Sequence, residues 1–166
     1  QLNNTNNALT NDNLGQISSN FIGVQGVINY DWFSLNFGYN NVWGSGSAYG
    51  SGAIVTPYTY GLATDPLYTT PYMSGLADLG TAGTAYKISP TFTFINGNLS
   101  LAPAYTLFNT ALAEWNGTQE YDFVASYNVP QVKGLTLFGV YAYQQVPDVN
   151  SNGSTYITQV YVSYLY

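Results

Sequence analysis

Glu120 and Asp122 are the two residues of this sequence best placed for acid–base work. Carboxyls two positions apart on a strand project from one face about 7 Å apart, within the range that inverting glycosidases use. No other residue supports a sugar-cleaving site, because the usual accessory groups are missing. The 166 residues include no His and no Cys, so Ser-His-Asp triads, thiol nucleophiles and zinc centres cannot be assembled. No metal or cofactor is expected, and the chain reads as a non-enzyme. Lys plus Arg number 2 against 8 acidic residues, which excludes nucleic-acid binding through phosphate contacts. Glu120 and Asp122 are then fixed charges or hydrogen-bonding struts, with Lys87 as a partner for one of them.

The segments around these residues alternate with a period of two, which is a strand signal. In the last twelve residues, Tyr156, Thr158, Val160, Val162, Tyr164 and Tyr166 form one face and Thr155, Ile157, Gln159, Tyr161, Ser163 and Leu165 the other. Phe33, Leu35, Phe37 and Tyr39 alternate with Ser34, Asn36, Gly38 and Asn40, while Tyr121, Phe123, Ala125, Tyr127 and Val129 alternate with Glu120, Asp122, Val124, Ser126 and Asn128. Charged residues are 6% and hydrophobic residues 46%, against about 25% charged in an ordinary soluble domain. Apolar faces bounded by rings, opposite faces of Asn, Ser and Thr, and scarce charge are what a transmembrane β-barrel needs, with lipid outside and water inside. No run of 18 apolar residues is present, so no transmembrane helix is expected. An amphipathic strand also suits a secreted β-sandwich, and that alternative stays open.

The alternation predicts about seven strands in one partial barrel domain spanning 1–166. Residues 1–20 read as a loop or frayed terminus, and the first strand, 21–30, as carrying a bulge near Gly26. The segment 41–83, with Gly-Ser repeats and several prolines, reads as a long external loop or one that folds inward to constrict a pore. A short helical turn is expected within 72–79. Asn96-Gly97 is a type I′ hairpin signal, and Pro103 predicts a bulge or a sheet edge. Short turns near Asp31, Asn96 and Pro130 alternate with long loops at 41–83, 109–118 and 146–154, the asymmetry of an outer-membrane barrel. The pore-lining candidates are Glu120, Asp122, Lys87, Asn36, Ser126 and Asn128. The constriction candidates are Asp65, Tyr68, Tyr72 and Asp78. An odd strand count, with no start Met and no signal peptide, reads as a processed or truncated chain lacking earlier strands. A closed eight-stranded barrel is the alternative.

The run Gln119-Glu-Tyr-Asp-Phe-Val-Ala-Ser-Tyr127, then Val132-Lys-Gly-Leu-Thr-Leu137 and the closing strand, resembles the C-terminal part of the OprD-like outer-membrane porins. Asp65-Pro-Leu-Tyr-Thr-Thr-Pro-Tyr-Met73 is similar to a loop segment of that family. Val162, Tyr164 and Tyr166 resemble the C-terminal sorting signal read by the barrel-assembly machinery. The resemblance implies the last seven or so strands of an 18-stranded barrel in the bacterial outer membrane. It also implies contact with outer-membrane lipid and passive diffusion of small hydrophilic solutes; assembly as a homo-oligomer such as a trimer is compatible with it. The family's arginine-lined path has no counterpart here, and inward carboxylates would instead favour cations. A surface adhesin or structural barrel whose loops bind a partner is the competing function.

Overall fold

A computed structural model of the chain describes residues 16–55, 67–147 and 152–165. The period-two segments become seven strands: β1 (Ser19–Tyr30), β2 (Phe33–Gly44), β3 (Gly83–Phe94), β4 (Leu99–Thr110), β5 (Gln119–Asn128), β6 (Leu135–Pro147) and β7 (Asn152–Tyr164). Each pairs antiparallel with the next, giving one open sheet in the order β1 to β7 with β1 and β7 at its edges. The chain is thus all-β at the level of its described strands. A strand of 12 residues is roughly 40 Å long, or roughly 28 Å across a layer it crosses at about 45°.

Because the side-chain period is two, the register sorts every strand residue onto one of two faces. One face carries the large apolar residues. Val24 lies opposite Tyr39, Tyr39 opposite Tyr86, and Tyr86 opposite Leu107. Further along, Tyr105, Tyr121, Tyr143 and Tyr156 are successive cross-strand partners. These tyrosines form a row on the long-loop side, with ring centroids 5.2 Å apart for Tyr39–Tyr86 and 5.1 Å for Tyr105–Tyr121. At the short-turn end Trp32, Phe33 and Phe92 cluster. Between the two rows lie Ile28, Leu35, Phe37, Ile88, Phe123 and Val160. This whole face is open: Ile28 is 59% exposed, Phe123 44% and Val160 77%.

The other face carries small and polar residues, and there the core sits. Val42, Ala85 and Phe108 pack with Leu67 and Leu76 of the β2–β3 connection. Gly44 lets that connection close on the strand, since a Cβ there would fall 2.8 Å from the Gly52 Cα. A 3₁₀ turn at Tyr49–Ser51 was not signalled by the sequence.

Several expectations are corrected. Ser19 and Asn20 belong to β1 rather than to a loop, and residues 41–44 belong to β2 rather than to the long connection. No bulge occurs at Gly26: β1 and β2 pair one to one from Ser19 to Tyr30, because Ile22, Val24, Ile28 and Tyr30 already share one parity. The short helical turn expected within 72–79 is present as a single turn at 75–79, with Leu79 N–H donating to the Gly75 carbonyl four residues back at 2.9 Å and Gly80 closing it at φ 61°. Positive φ falls on Ile95 and Asn96, and Gly97 N–H closes onto the Phe94 carbonyl at 3.1 Å. Asn98 N–H in turn closes onto the Ile95 carbonyl at 3.1 Å around Asn96 (φ 52°) and Gly97 (φ 87°), so the type I′ turn stands at Asn96-Gly97 as expected, with Ile95 adding a further positive φ before it. Pro103 sits inside β4 with no bulge. The β3–β4 ladder is interrupted only between Ile88↔Tyr105 and Phe92↔Leu101, where Pro90 stands opposite Pro103, so both missing N–H donors fall in a single gap.

Candidate functional site

Beyond residue 66 the β2–β3 connection crosses the small-residue face as a strap, held by side chains of successive strands. Thr69 N–H donates to Asn40 Oδ1 of β2 at 3.0 Å. Lys87 Nζ of β3 donates to the Thr70 carbonyl. Tyr72 N–H donates to Asp122 Oδ2 of β5 at 3.0 Å, and Met73 N–H to Glu120 Oε1. Gln144 Nε2 of β6 reaches Ser74 Oγ at 2.8 Å and Glu120 Oε2 at 3.3 Å. The Tyr72 hydroxyl donates to Gln159 of β7. A strap lying flat across a sheet has backbone donors that no ladder satisfies, and buried donors must find acceptors. Carboxylates and amides of the wall supply them.

Gly38 explains how the strap comes so close. A Cβ at that position would lie 2.7 Å from the Tyr68 carbonyl oxygen, inside any tolerable contact, so only a residue without one fits. The polar anchors form a cross-strand row: Lys87 faces Thr106, Thr106 faces Glu120, and Glu120 faces Gln144. Glu120 is 0% exposed and Asp122 7%. Among the described strand residues, the charged ones are Lys87, Glu120 and Asp122, all on this face and all engaged with the strap. Asp122 Oδ1 and Thr106 Oγ1 are buried without a hydrogen-bond partner among the described residues. A cavity of about 240 Å³ lies beside Asp122, lined also by Lys87, Ser89 and Tyr72.

Burial first, then the hydrogen bond and charge of Tyr161 and the charge of Asp122, push the Tyr72 phenol up to about 12. It therefore stays a neutral hydroxyl through the physiological range. Both Tyr72 and Tyr161 direct their hydroxyls at Gln159 Oε1.

The sequence-derived candidates divide accordingly. Glu120, Asp122, Lys87 and Tyr72 come together under or within the strap. Tyr68 lies in it with its side chain 50% exposed. Asp78 turns back on its own segment, accepting from Gly75 N–H at 3.2 Å. Asn36, Ser126 and Asn128 lie on the same face on the short-turn side; Asn36 accepts from Gln25 at 3.2 Å and Asn128 from Thr136 at 2.8 Å. Val162 and Tyr164 are exposed on the opposite, apolar face. Asp65 and Tyr166 lie outside the described residues. Asn40, Thr106, Gln144 and Gln159 were missed. Their alternation put them on the polar face, but nothing local distinguished an anchor from an ordinary polar wall residue.

Comparisons with protein-family models, curated proteins and solved structures found no match to this chain.

Proposed function

We propose that the sheet is a segment of an outer-membrane β-barrel that forms a passive diffusion channel for small hydrophilic solutes, narrowed by the strap. One observation carries this: across seven consecutive strands most of the large aliphatic and aromatic residues are exposed on one face, while the polar residues, a small apolar core and the strap share the other. A water-soluble two-layer fold would put the covering segment on the apolar face, where each buried large side chain contributes about 1.5–3 kcal/mol. Here the cover lies on the polar side. Lipid against the open face accounts for this, as do aromatic rows at both of its ends. The OprD-like resemblance supports a large barrel with this chain toward its C-terminal end.

Glu120 and Asp122 act in this reading chiefly as anchors that hold the strap off the open lumen. Three of their four oxygens are engaged by strap and wall and the fourth, Asp122 Oδ1, is buried, so any cation preference they confer acts through the strap. The full chain is expected to require detergent for extraction and to carry ionic current across a planar bilayer. Replacing 69–78 by a Gly-Ser linker of the same length should raise that current. A protein that stays in buffer without detergent overturns the proposal.

A further inference from the structure

The anchoring of all three strand charges beneath the strap leaves a distinctive wall on its short-turn side. From β5 to β7 that wall presents Ser126, Asn128, Thr136, Phe138, Gln159 and Tyr161, all uncharged. Phe138 and Tyr161 are cross-strand partners, with ring centroids 5.8 Å apart and planes at 45°. Tyr161 is 46% exposed. Its hydroxyl lies 3.3 Å from that of Tyr72 in the strap, so the phenol of the wall meets a phenol of the strap at their hydroxyls. Two phenols share Gln159 Oε1, while the NH₂ of that amide has no protein partner among the described residues.

We infer that this surface is a binding track for neutral pyranose sugars, a substrate class for the proposed channel; the inference rests on the polar face being the lumen. A pyranose has one face of C–H groups and a rim of hydroxyls. Rings receive the first through dispersion and offset contact. Planar amides and hydroxyls, each offering both donor and acceptor, receive the second. An ionic solute would find no exposed opposite charge on this part of the wall to offset its lost hydration. A few polar groups placed around an aromatic surface are also the usual composition of a small-molecule site.

The test is ligand-observed saturation-transfer NMR on the detergent-solubilised full chain. The probes are maltose, sorbitol (the hydroxyls without a ring) and gluconate (the same with a charge). Maltose is expected to show transfer and the other two little. Tyr161→Ala should weaken maltose binding roughly tenfold, and Tyr161→Phe, which keeps the ring, should retain it. Phe138→Leu, which removes a ring at similar bulk, gives a second reading should Tyr161→Ala fail to fold by circular dichroism. Equal transfer to sorbitol, or maltose binding unchanged by loss of either ring, overturns the inference. Because NMR does not depend on current, sugar binding without conductance would remove the channel and leave the track, and conductance without sugar binding would do the reverse.

Discussion

Two glycines of the same sheet have opposite surroundings, and the contrast isolates what the strap needs. Gly38 faces the strap backbone at a distance no Cβ tolerates, whereas a Cβ on Gly26 meets nothing within 4 Å. Gly38→Ala is therefore expected to lift the strap, costing about 1–3 kcal/mol as overpacking does, and to open it to protease. Gly26→Ala should be silent in the same assay. Tyr72 offers a second handle. Its pKa is raised from 10 to about 12 in the folded chain, so folding favours the protonated phenol. That contribution is full below pH 10 and is lost as pH rises through about 12. Absorbance titration should show one phenol ionising near 12 that is absent from Tyr72→Phe, with strap cleavage rising over the same interval. A Tyr72 that ionises at 10 would mean the phenol is not held as described. At this scale the sequence was partly legible. Glu120, Asp122 and Lys87 stood out as scarce charges in a nearly uncharged chain, but their use as acceptors and donor for a crossing backbone depends on contacts 47 to 50 residues apart in the case of the carboxylates.

The strands were legible because their signal is local and repeated. Seven alternating segments gave seven strands, and parity alone placed Phe33, Leu35, Phe37 and Tyr39 on the same face as Tyr86 and Ile88. What failed was local in another way. The strand ends at Ser19 and Gly44 extend into Asn-, Ser- and Gly-rich stretches whose composition favours loops, and ladder pairing overrides that preference. The hairpin signal at Asn96-Gly97 was right in kind and place, but it did not show that Ile95 beside it takes a positive φ that β-branched residues rarely adopt. Pro103 looked disruptive only because its partner Pro90 could not be placed opposite it without the register. A neighbouring pair in β5 tests the assignment of faces. Phe123 lies on the apolar face and Val124 on the polar one, beside Asp122. If lipid covers the apolar face, Phe123→Lys should cost about 2–4 kcal/mol and sharply reduce recovery in the membrane fraction. Val124→Lys, one residue away, should be recovered almost normally. Equal losses, or the reverse order, would mean that the apolar face does not meet lipid.

Across the whole molecule, strand parity limits how the sheet is completed. In an antiparallel meander of seven, β1 and β7 run in the same direction, so joining those edges directly would require a parallel pair. Antiparallel closure needs an odd number of further strands; both one and the eleven implied by an 18-stranded barrel satisfy this. On the proposed barrel reading, the strap favours the larger closure on size. An eight-stranded barrel has an interior just wide enough for its own side chains, whereas here a backbone segment already covers part of the polar face. The larger barrel would accommodate it and leave an aqueous path. Neighbouring strands are about 4.8 Å apart, so in an eight-stranded barrel β1 and β7 would lie roughly 10 Å apart, with one strand between them. The chain contains no cysteine, and Val24 and Val160 are 60% and 77% exposed on the apolar face. A Val24→Cys, Val160→Cys double variant treated with a bismaleimide spanning about 10 Å is thus expected to give no cross-link within one chain. Efficient intramolecular joining in the detergent-solubilised monomer would bring the edges together, exclude the large barrel and leave the strap without room for solute to pass.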